Sequence, residues 1–270
     1  MPKSSASKNR SSPAGSDQKR ARKRTGKSTA NRWLFGHHAV VAALENPART
    51  VLQVKATENA AAKLAENQRN APLSLTNRSE IESLVGKEAV HQGIAAEVEP
   101  LAECHLEDII ATTDDQERVT ILALDQASDP RNVGAILRSA SAFGAKALIQ
   151  QARHAPPITP VMAKAASGGL ERVALVSVTN LARALAELKA AGFWIVGLDG
   201  AATDNLGETR LPEKCCLVLG AEGGGLRRLT REACDLAVRI PIDQSADSLN
   251  LSNAAAVALY EMSRKGSGGT

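Results

Sequence analysis

Three segments in the second half of the chain combine residue types that can bind and polarise a ligand. In each, an apolar strand gives way to charged, amide, hydroxyl or glycine residues, at Asp125–Arg138, Leu217–Leu226 and Ile240–Asn253. In open α/β sheets, ligands bind in the crevice beyond the carboxyl ends of the strands. Because three such strand ends occur in one half of the chain, the sequence predicts that they line one composite site.

The first segment supplies a cation and an amide near the start of a predicted helix. Asn132 is a suitable N-cap for a helix that we expect to begin at Val133. Arg138 lies in an otherwise apolar part of that helix, where a buried charge is costly unless an anion meets it. Two kinds of partner remain open: a phosphate at the helix N-terminus, or an internal carboxylate such as Asp125 or Glu222.

The other two segments offer exposed backbone, a carboxylate and hydroxyl groups. Successive glycines at the end of Gly220–Gly225 permit a sharp turn or a contact between backbone and ligand, and Glu222 lies within that loop. Ser248–Asn253 contains more Ser and Asn than one helix N-terminus needs for capping, so some are available to a substrate. A flexible turn and a well-capped buried helix are the respective structural alternatives.

Apolar strands alternate with helical patterns from Val119 onward, which predicts a parallel α/β sheet. We place this domain at residues 118–270, after a polar linker at 101–117. A smaller alternating α/β unit precedes the linker at residues 31–100. Residues 1–30 contain almost no apolar side chains, so they are predicted to be a disordered basic tail.

The positive charge of the chain is concentrated at its N-terminus. Residues 1–32 hold ten of the 33 Lys and Arg residues but one of the 29 Asp and Glu residues, so the net charge of +4 becomes −5 in the remainder. Such a tail either binds nucleic acid without sequence specificity or serves only to keep the chain in solution. Aromatic residues make up only 2% of the chain, which disfavours modules that stack bases on aromatic rings.

Several other classes of protein are disfavoured by what the sequence lacks. It has no apolar run long enough for a transmembrane helix and no secretory signal, so we expect a cytoplasmic protein, with an organelle transit peptide as a minor alternative. The four cysteines form no C-x-x-C pair; we expect no metal site and expect Cys215 and Cys216 to be buried. A P-loop and a Rossmann dinucleotide site are disfavoured, since neither glycine motif is complete.

The strand-end segments also resemble the signature motifs of the SpoU/TrmH family of RNA 2′-O-ribose methyltransferases, in the SPOUT superfamily. The resemblance covers roughly residues 118–265 and preserves the order and spacing of the motifs. It is carried by Asn132–Arg138, Thr159–Glu171, Leu219–Gly225 and Ile240–Asn253. Single motifs of this kind would be weak, whereas the ordered set is specific.

Two shorter motifs extend the resemblance to the first half of the chain. Gly36–Val40 and His91–Ala95 resemble the small RNA-binding domain, similar to ribosomal protein L30e, of the bacterial 23S rRNA guanosine branch of that family. The resemblance implies a trefoil-knotted parallel-sheet domain at the C-terminus, a rare exception to the rule against threaded chains. It also implies S-adenosyl-L-methionine as methyl donor, RNA as partner, and a homodimer formed through the knotted domain.

The resemblance assigns residues to the site as well. It implies catalytic roles for Asn132, Arg138, Glu222, Ser248 and Asn250. It implies that the cofactor is held by Leu198, Gly200, Leu219, Gly220, Glu222, Gly223, Ile240, Ile242, Ser248 and Leu249. The chain departs from the family at Asp243-Gln244, where relatives carry a glycine; Gln244 cannot cheaply adopt backbone angles open only to glycine, so we expect a different loop shape there.

The residue at Arg138 has been the proposed base in the family, but a guanidinium is very hard to deprotonate. We expect Arg138 instead to bind the adjacent phosphate and to stabilise the developing alkoxide, while Glu222 holds it in place. Asn132, Ser248 and Asn250 would orient the hydroxyl. The predicted reaction is methylation of a guanosine ribose in 23S rRNA. A tRNA 2′-O-methyltransferase and a non-catalytic RNA-binding or ribosome-assembly factor remain as alternatives.

Overall fold

Two β-sheets with helices packed against them make up the chain, in a computed structural model that describes residues 32–64, 70–113, 118–221, 223–243 and 245–266. The α/β class predicted from the sequence is therefore confirmed. The predicted tail at residues 1–30, the carboxylate of Glu222 and the side chain of Gln244 lie outside the described residues. The trefoil knot and the domain boundaries stay predictions.

The smaller sheet has four strands in mixed directions. Its strands are β1 (Trp33–Phe35), β2 (Val51–Ala56), β3 (Leu73–Leu75) and β4 (Ile94–Val98), and its helices are α1 (His37–Glu45), α2 (Glu58–Ala61) and α3 (Arg78–Val85). The strand order is β1–β4–β2–β3, with β4 antiparallel to both of its neighbours and β2 parallel to β3. Neither antiparallel pair joins strands that follow one another in the sequence, so α1, α2 and α3 lie in the connections between successive strands.

The larger sheet has seven strands, and every pairing in it is parallel. Its strands are β5 (Val119–Leu124), β6 (Ala147–Gln151), β7 (Ala174–Val178), β8 (Trp194–Leu198), β9 (Asp204–Asn205), β10 (Lys214–Leu219) and β11 (Leu236–Arg239). Its helices are α4 (Leu106–Ala111), α5 (Pro130–Ala142), α6 (Pro160–Ala166), α7 (Leu181–Ala190), α8 (Arg228–Glu232) and α9 (Leu251–Gly266), with a 3₁₀ turn at Gly169–Glu171. The strand order is β7–β6–β5–β10–β8–β11–β9.

Helices cover both faces of the larger sheet, which explains why its central strands are apolar at successive positions. Leu122 of β5 belongs to a buried cluster with Ile136 of α5 and Met162 of α6. Its neighbour Ile121 belongs to a second buried cluster with Leu185 of α7. Successive side chains on a strand point to opposite faces, so one strand contributes to both clusters. The sheet is thus the middle layer between two layers of helices.

The first of these clusters also joins the two sheets. Val40 and Leu44 of α1 belong to the same buried cluster as Leu137 and Met162 of the larger unit. Apolar side chains on α1 are therefore shielded from water on the side of α6 as well as on the side of the smaller sheet. Close-packed side chains of this kind leave little space for movement, so this packing holds the two sheets in a fixed relative position.

Strong hydrophobic periodicity predicts most of the helices and strands. Where the predicted and observed bounds differ, the cause is local. Strand β5 begins at Val119, where the sequence predicts that the alternating pattern starts, whereas α5 begins at Pro130 instead of Val133. The N-cap is Asp129, whose carboxylate accepts a hydrogen bond of 2.8 Å from the N–H of Arg131, and proline suits the first helical position. The expectation that Asn132 caps this helix is therefore wrong. Helix α4, which the sequence pattern did not indicate, lies within the stretch assigned to the linker.

The cysteines behave as small apolar residues. Cys215 and Cys216 are fully buried in β10, as expected, and all four thiols are free. Burial raises the pKa of the Cys215 thiol to about 12 and that of the Cys234 thiol to about 11. These thiols stay protonated at neutral pH, so they are poor nucleophiles. No helix in the described part of the chain is long and apolar enough to span a membrane.

Candidate active site

A cavity of about 350 Å³ lies beyond the carboxyl ends of β8, β10 and β11. All three strand ends contribute to it, through Leu198, Leu219 and Ile240, and the chain before α9 closes one side. Its lining consists of Leu198, Asp199, Gly200, Leu219, Gly220, Ala221, Gly223, Gly225, Ile240, Ile242, Asp247, Ser248, Leu249, Asn250, Leu251 and Ala254. This is the position at which a parallel sheet holds ligands.

Of the residues expected to hold the cofactor, all those that the structure describes line this cavity. These are Leu198, Gly200, Leu219, Gly220, Gly223, Ile240, Ile242, Ser248 and Leu249. Glu222 is the exception, since it lies outside the described residues. Two of the three predicted segments, Leu217–Leu226 and Ile240–Asn253, therefore line one cavity together with the chain after β8. No residue of Asp125–Arg138 lines it, so the composite site of all three segments stays a prediction.

The loop after β10 is shaped by the absence of a side chain at Gly220. A Cβ atom there would overlap the carbonyl group of Gly225 and the backbone nitrogen of Leu226. The loop folds back on itself through a pair of backbone hydrogen bonds, from Ala221 N to Gly225 O at 3.2 Å and from Gly225 N to Ala221 O at 3.0 Å. This close approach needs glycine at position 220, and it directs the backbone of the loop toward the cavity.

Two amide side chains predicted to be catalytic meet at the edge of the cavity. Asn250 Nδ2 donates a hydrogen bond of 3.2 Å to Asn132 Oδ1. The oxygen of the same Asn250 side chain accepts from Ser252 N at 2.9 Å and from Ser252 Oγ at 2.6 Å, so it caps α9. One residue therefore fixes the start of α9 against the first turn of α5. Ser248 is exposed and lines the same cavity.

Arg138 lies on an exposed part of α5, and no described residue provides it with a hydrogen-bond or ion-pair partner. The alternative in which Arg138 pairs with Asp125 is wrong. Asp125 is fully buried, and its carboxylate accepts from Arg227 Nε at 2.7 Å and from the Arg227 backbone N–H at 3.1 Å. The guanidinium of Arg138 is thus available to an external anion.

Sequence reasoning missed three charged residues around the cavity. Asp199 and Asp247 line it, and Arg227 follows the glycine loop and holds Asp125. Asp199 could have been found, because it is a carboxylate directly after the apolar strand β8, like the polar residues after β5 and β10. Its carboxylate accepts from Ala201 N at 3.0 Å and forms an ion pair of 2.9 Å with Arg231, so it orders the loop after β8.

The segment at Asp243, where the sequence departs from the family pattern, forms a turn that its own side chains stabilise. Asp243 Oδ1 accepts hydrogen bonds from Ser245 N at 2.9 Å and from Ser245 Oγ at 2.6 Å. These bonds lower the pKa of the Asp243 carboxyl below its usual value. A carboxylate that accepts local backbone and hydroxyl hydrogens can stabilise a turn without glycine. The neighbouring Ile242 lines the cavity.

The chemistry of the lining fits a nucleoside that carries a polar chain. Leucine and isoleucine side chains form apolar walls, as a purine ring requires, and the glycine loops present backbone donors and acceptors beside them. The carboxylates of Asp199 and Asp247 can meet a positive charge. Within the described ranges, no group of three or more His, Cys, Asp or Glu residues could hold a metal ion.

Family comparisons match both parts of the chain. The model described as the SpoU rRNA Methylase family matches residues 119–260, and the one described as RNA 2′-O ribose methyltransferase substrate binding matches residues 33–104. A 23S rRNA (guanosine-2′-O-)-methyltransferase RlmB from Pseudomonas putida is 40% identical over 243 residues, which cover 86% of this chain and 96% of that protein. The Vibrio cholerae protein of the same name is 39% identical over 87% of this chain and 98% of its own length.

The solved structures that resemble this chain include SpoU methyltransferases as well. The SpoU methyltransferase AviRb from Streptomyces viridochromogenes, in complex with the cofactor AdoMet, superimposes with a TM-score of 0.71. It is 25% identical to this chain, and the match covers 88% of this chain and 91% of that one. The likeness therefore extends over both sheets and is not limited to the larger one.

Proposed function

The chain belongs to the SpoU rRNA methylase family, and from that premise we propose that it methylates the ribose 2′-hydroxyl of a guanosine in 23S ribosomal RNA. The observation that carries this proposal is the cavity beside the Asn132–Asn250 pair, which every described residue of the expected cofactor set lines. S-adenosylmethionine, when bound, supplies a methyl group on a positively charged sulfur that an oxygen nucleophile can attack.

Different residues of the cavity would bind different parts of such a cofactor. Leu198, Ile240 and Leu249 would enclose its purine ring, since they form the apolar part of the lining. Backbone groups around Gly200 and Gly220 would bind the ribose and the amino-acid part. The polar groups of a bound ligand then meet fixed donors and acceptors, which lowers the entropic cost of positioning it.

The residues beside the cavity would bind and orient the RNA. Arg138 has no partner among the described residues, so its planar fork of donors can bind a phosphate with two hydrogen bonds. The Asn132–Asn250 pair and Ser248 would orient the ribose hydroxyl. As the oxygen attacks the methyl carbon, the carbon–sulfur bond would break and the hydroxyl proton would pass to solvent water. Arg138 would stabilise the negative charge that develops on the oxygen, because fixed donors are effective where charge develops. Glu222 as the group that holds Arg138 stays a prediction.

The N-terminal unit supports ribosomal RNA as the substrate. The curated relatives that match along 86% or more of this chain are named as enzymes of 23S rRNA. The substrate-binding and methylase models match residues 33–104 and 119–260, which supports the proposed division into a unit at 31–100, a linker at 101–117 and a unit at 118–270. A bacterial rRNA substrate also implies that the chain acts in the cytoplasm, where fractionation should find it.

Mapping of ribose methylation tests the substrate. In cells that lack the gene, mass spectrometry of rRNA and tRNA should show loss of one 2′-O-methylguanosine in 23S rRNA and no change in tRNA. Complementation with the wild-type gene should restore it. Loss at a single tRNA position would establish the tRNA alternative instead, and unchanged methylation throughout would favour a non-catalytic assembly factor.

We also propose that the chain is a homodimer through its larger unit. Val257 and Tyr260 of α9 have exposed fractions of 43% and 54%. Both lie on the helix that follows the cavity, and large apolar side chains grouped on one helix favour contact with a partner. Light scattering after size exclusion should give twice the chain mass of 28.3 kDa. Double substitution Val257→Asp and Tyr260→Asp should give monomers; a monomeric wild type would contradict the proposal.

A further inference from the structure

Helix α1 of the smaller unit is fixed at its C-terminal end to Glu171 of the larger unit. Arg49 Nη2 and Glu171 Oε1 are 2.6 Å apart, and Arg49 Nε donates to Glu171 Oε2 at 3.1 Å. Asn46 Nδ2 donates to the same oxygen at 2.8 Å. The exposed fractions of the Arg49 and Glu171 side chains are only 4% and 3%. A buried carboxylate with this many donors has a single favourable position.

The N-terminal end of α1 contacts the same stretch of the larger unit. Lys164 Nζ, on α6, donates a hydrogen bond of 3.0 Å to Gln92 Oε1, and that oxygen also accepts from the His37 N–H at 3.1 Å. Gln92 and His37 belong to the two short motifs of the N-terminal unit. Burial lowers the pKa of the Lys164 ammonium group. Between the two ends, Gly168 packs against Ala42. The contacts therefore run along the whole of α1.

The opposite side of this stretch packs on the helix that carries Arg138. A Cβ atom on Gly169 would overlap Leu137 O and would lie 3.0 Å from Arg138 N. One on Gly134 would lie 2.5 Å from Met162 O. Both glycines allow backbone to touch backbone, so α6 and the 3₁₀ turn have little freedom to move relative to α5. Residues 160–171 thus form a layer between α1 and α5.

From this arrangement we propose that residues 160–171 are an interdomain clamp and that Glu171 is its positioning residue. The clamp fixes the unit at 31–100 relative to Arg138, so that RNA held by the first unit reaches the site in one orientation. This inference rests on the proposed function, since it names how substrate RNA is placed. A buried ion pair adds little to stability compared with an apolar pair, but it is strongly directional, which suits positioning better than general adhesion.

Loss of one partner should loosen the clamp without touching the cavity. Glu171→Gln leaves the Arg49 guanidinium buried with a neutral partner. Because small displacements of a substrate can cost on the order of 100-fold in rate, we expect kcat on 23S rRNA fragments to fall roughly tenfold. RNA affinity and S-adenosylmethionine affinity should change by less than about threefold, since neither binding surface is altered. Cofactor-binding stoichiometry gives the concentration of folded enzyme, which separates this loss from unfolding.

Hydrogen–deuterium exchange on the full chain gives a readout that does not depend on catalysis. Peptides covering residues 37–46 and 160–171 should exchange faster in Glu171→Gln, while the peptide covering 214–219 in β10 should not change. The control is Glu187→Gln, which removes an exposed ion pair with Arg183 on α7. It should leave both turnover and exchange as in the wild type.

The outcomes separate the clamp from the proposed function. A wild type that methylates no rRNA contradicts the function itself. A wild type that is active, with Glu171→Gln equally active or with unchanged exchange at α1, overturns the clamp. If Glu171→Gln does not fold, Lys164→Met tests the other end of α1, with an expected fall in kcat of about threefold and faster exchange at residues 37–46. Normal turnover in that variant also overturns the clamp.

Discussion

Arg138→Lys is expected to lower kcat by roughly 100-fold, equivalent to about 2.7 kcal/mol of transition-state stabilisation. The arginine lies exposed on α5, and no described residue competes for its guanidinium. A guanidinium presents two parallel donors to a phosphate, whereas the ammonium of lysine is a point charge that cannot reproduce this geometry. Loss of one donor that meets developing charge typically costs about 100- to 1000-fold in kcat.

Steady-state kinetics with a 23S rRNA fragment would measure this effect, and isothermal titration should show unchanged affinity for S-adenosylmethionine. Arg183→Lys is a suitable control, because Arg183 is an exposed arginine on the other face of the sheet. Arg138→Ala should be less active than Arg138→Lys, since it removes the charge as well as the fork. If Arg138→Lys had near-normal turnover, the two-donor role of Arg138 would be wrong.

Much of this site could be predicted because its chemistry is local in sequence. Leu219 ends β10 and Ile240 directly follows β11, and the carboxyl ends of parallel strands meet at one edge of a sheet. Leu198 and Gly200 were assigned to the site only through the family resemblance. The strand β5 was equally clear, since a short, mostly apolar run between polar residues is typical of a strand buried on both faces. Patterns with a period of two or 3.6 residues need no knowledge of the partner segment.

Elements with weak periodicity were not found. Strand β9 has only two residues, and its formation depends on pairing with β11. Helix α4 lies in a polar stretch, although His105 N donates to Asp108 Oδ2 at 3.0 Å, a helix-start signal that the sequence contains. The start of α5 was misplaced because the expected cap was Asn132, whereas the side chain that caps the helix is that of Asp129, three residues earlier. Proline between them decides in favour of Asp129.

Long-range ion pairs were beyond the reach of sequence reasoning. Asp125 pairs with Arg227, and Arg49 pairs with Glu171 more than a hundred positions away. Which of many charges meet depends on strand order and on how the helices pack, so residue types alone leave the choice open. These pairs have opposite consequences for the site. The first occupies the carboxylate of Asp125, so Arg138 has no partner among the described residues. The second connects the smaller unit to the 3₁₀ turn that packs on α5.

Gly220→Ala is expected to weaken S-adenosylmethionine binding by about 100-fold or more, equivalent to about 2.7 kcal/mol. The added methyl group would overlap the backbone of Gly225 and Leu226, and backbone cannot escape by rotation about a side-chain bond. The loop must open, which breaks the two hydrogen bonds between Ala221 and Gly225. Overpacking of this kind commonly costs about 1–3 kcal/mol before any ligand contact is lost.

Isothermal titration with S-adenosylmethionine measures the loss, and circular dichroism checks that the sheet is intact. Gly224→Ala is the matched control, because it lies in the same loop, faces open space and has no need for a left-handed backbone. Its affinity should stay within about threefold of the wild type. Equal affinities for Gly220→Ala and the wild type would mean that the cofactor does not depend on the shape of this loop. The cavity at the ends of β8, β10 and β11 would then not be its binding site.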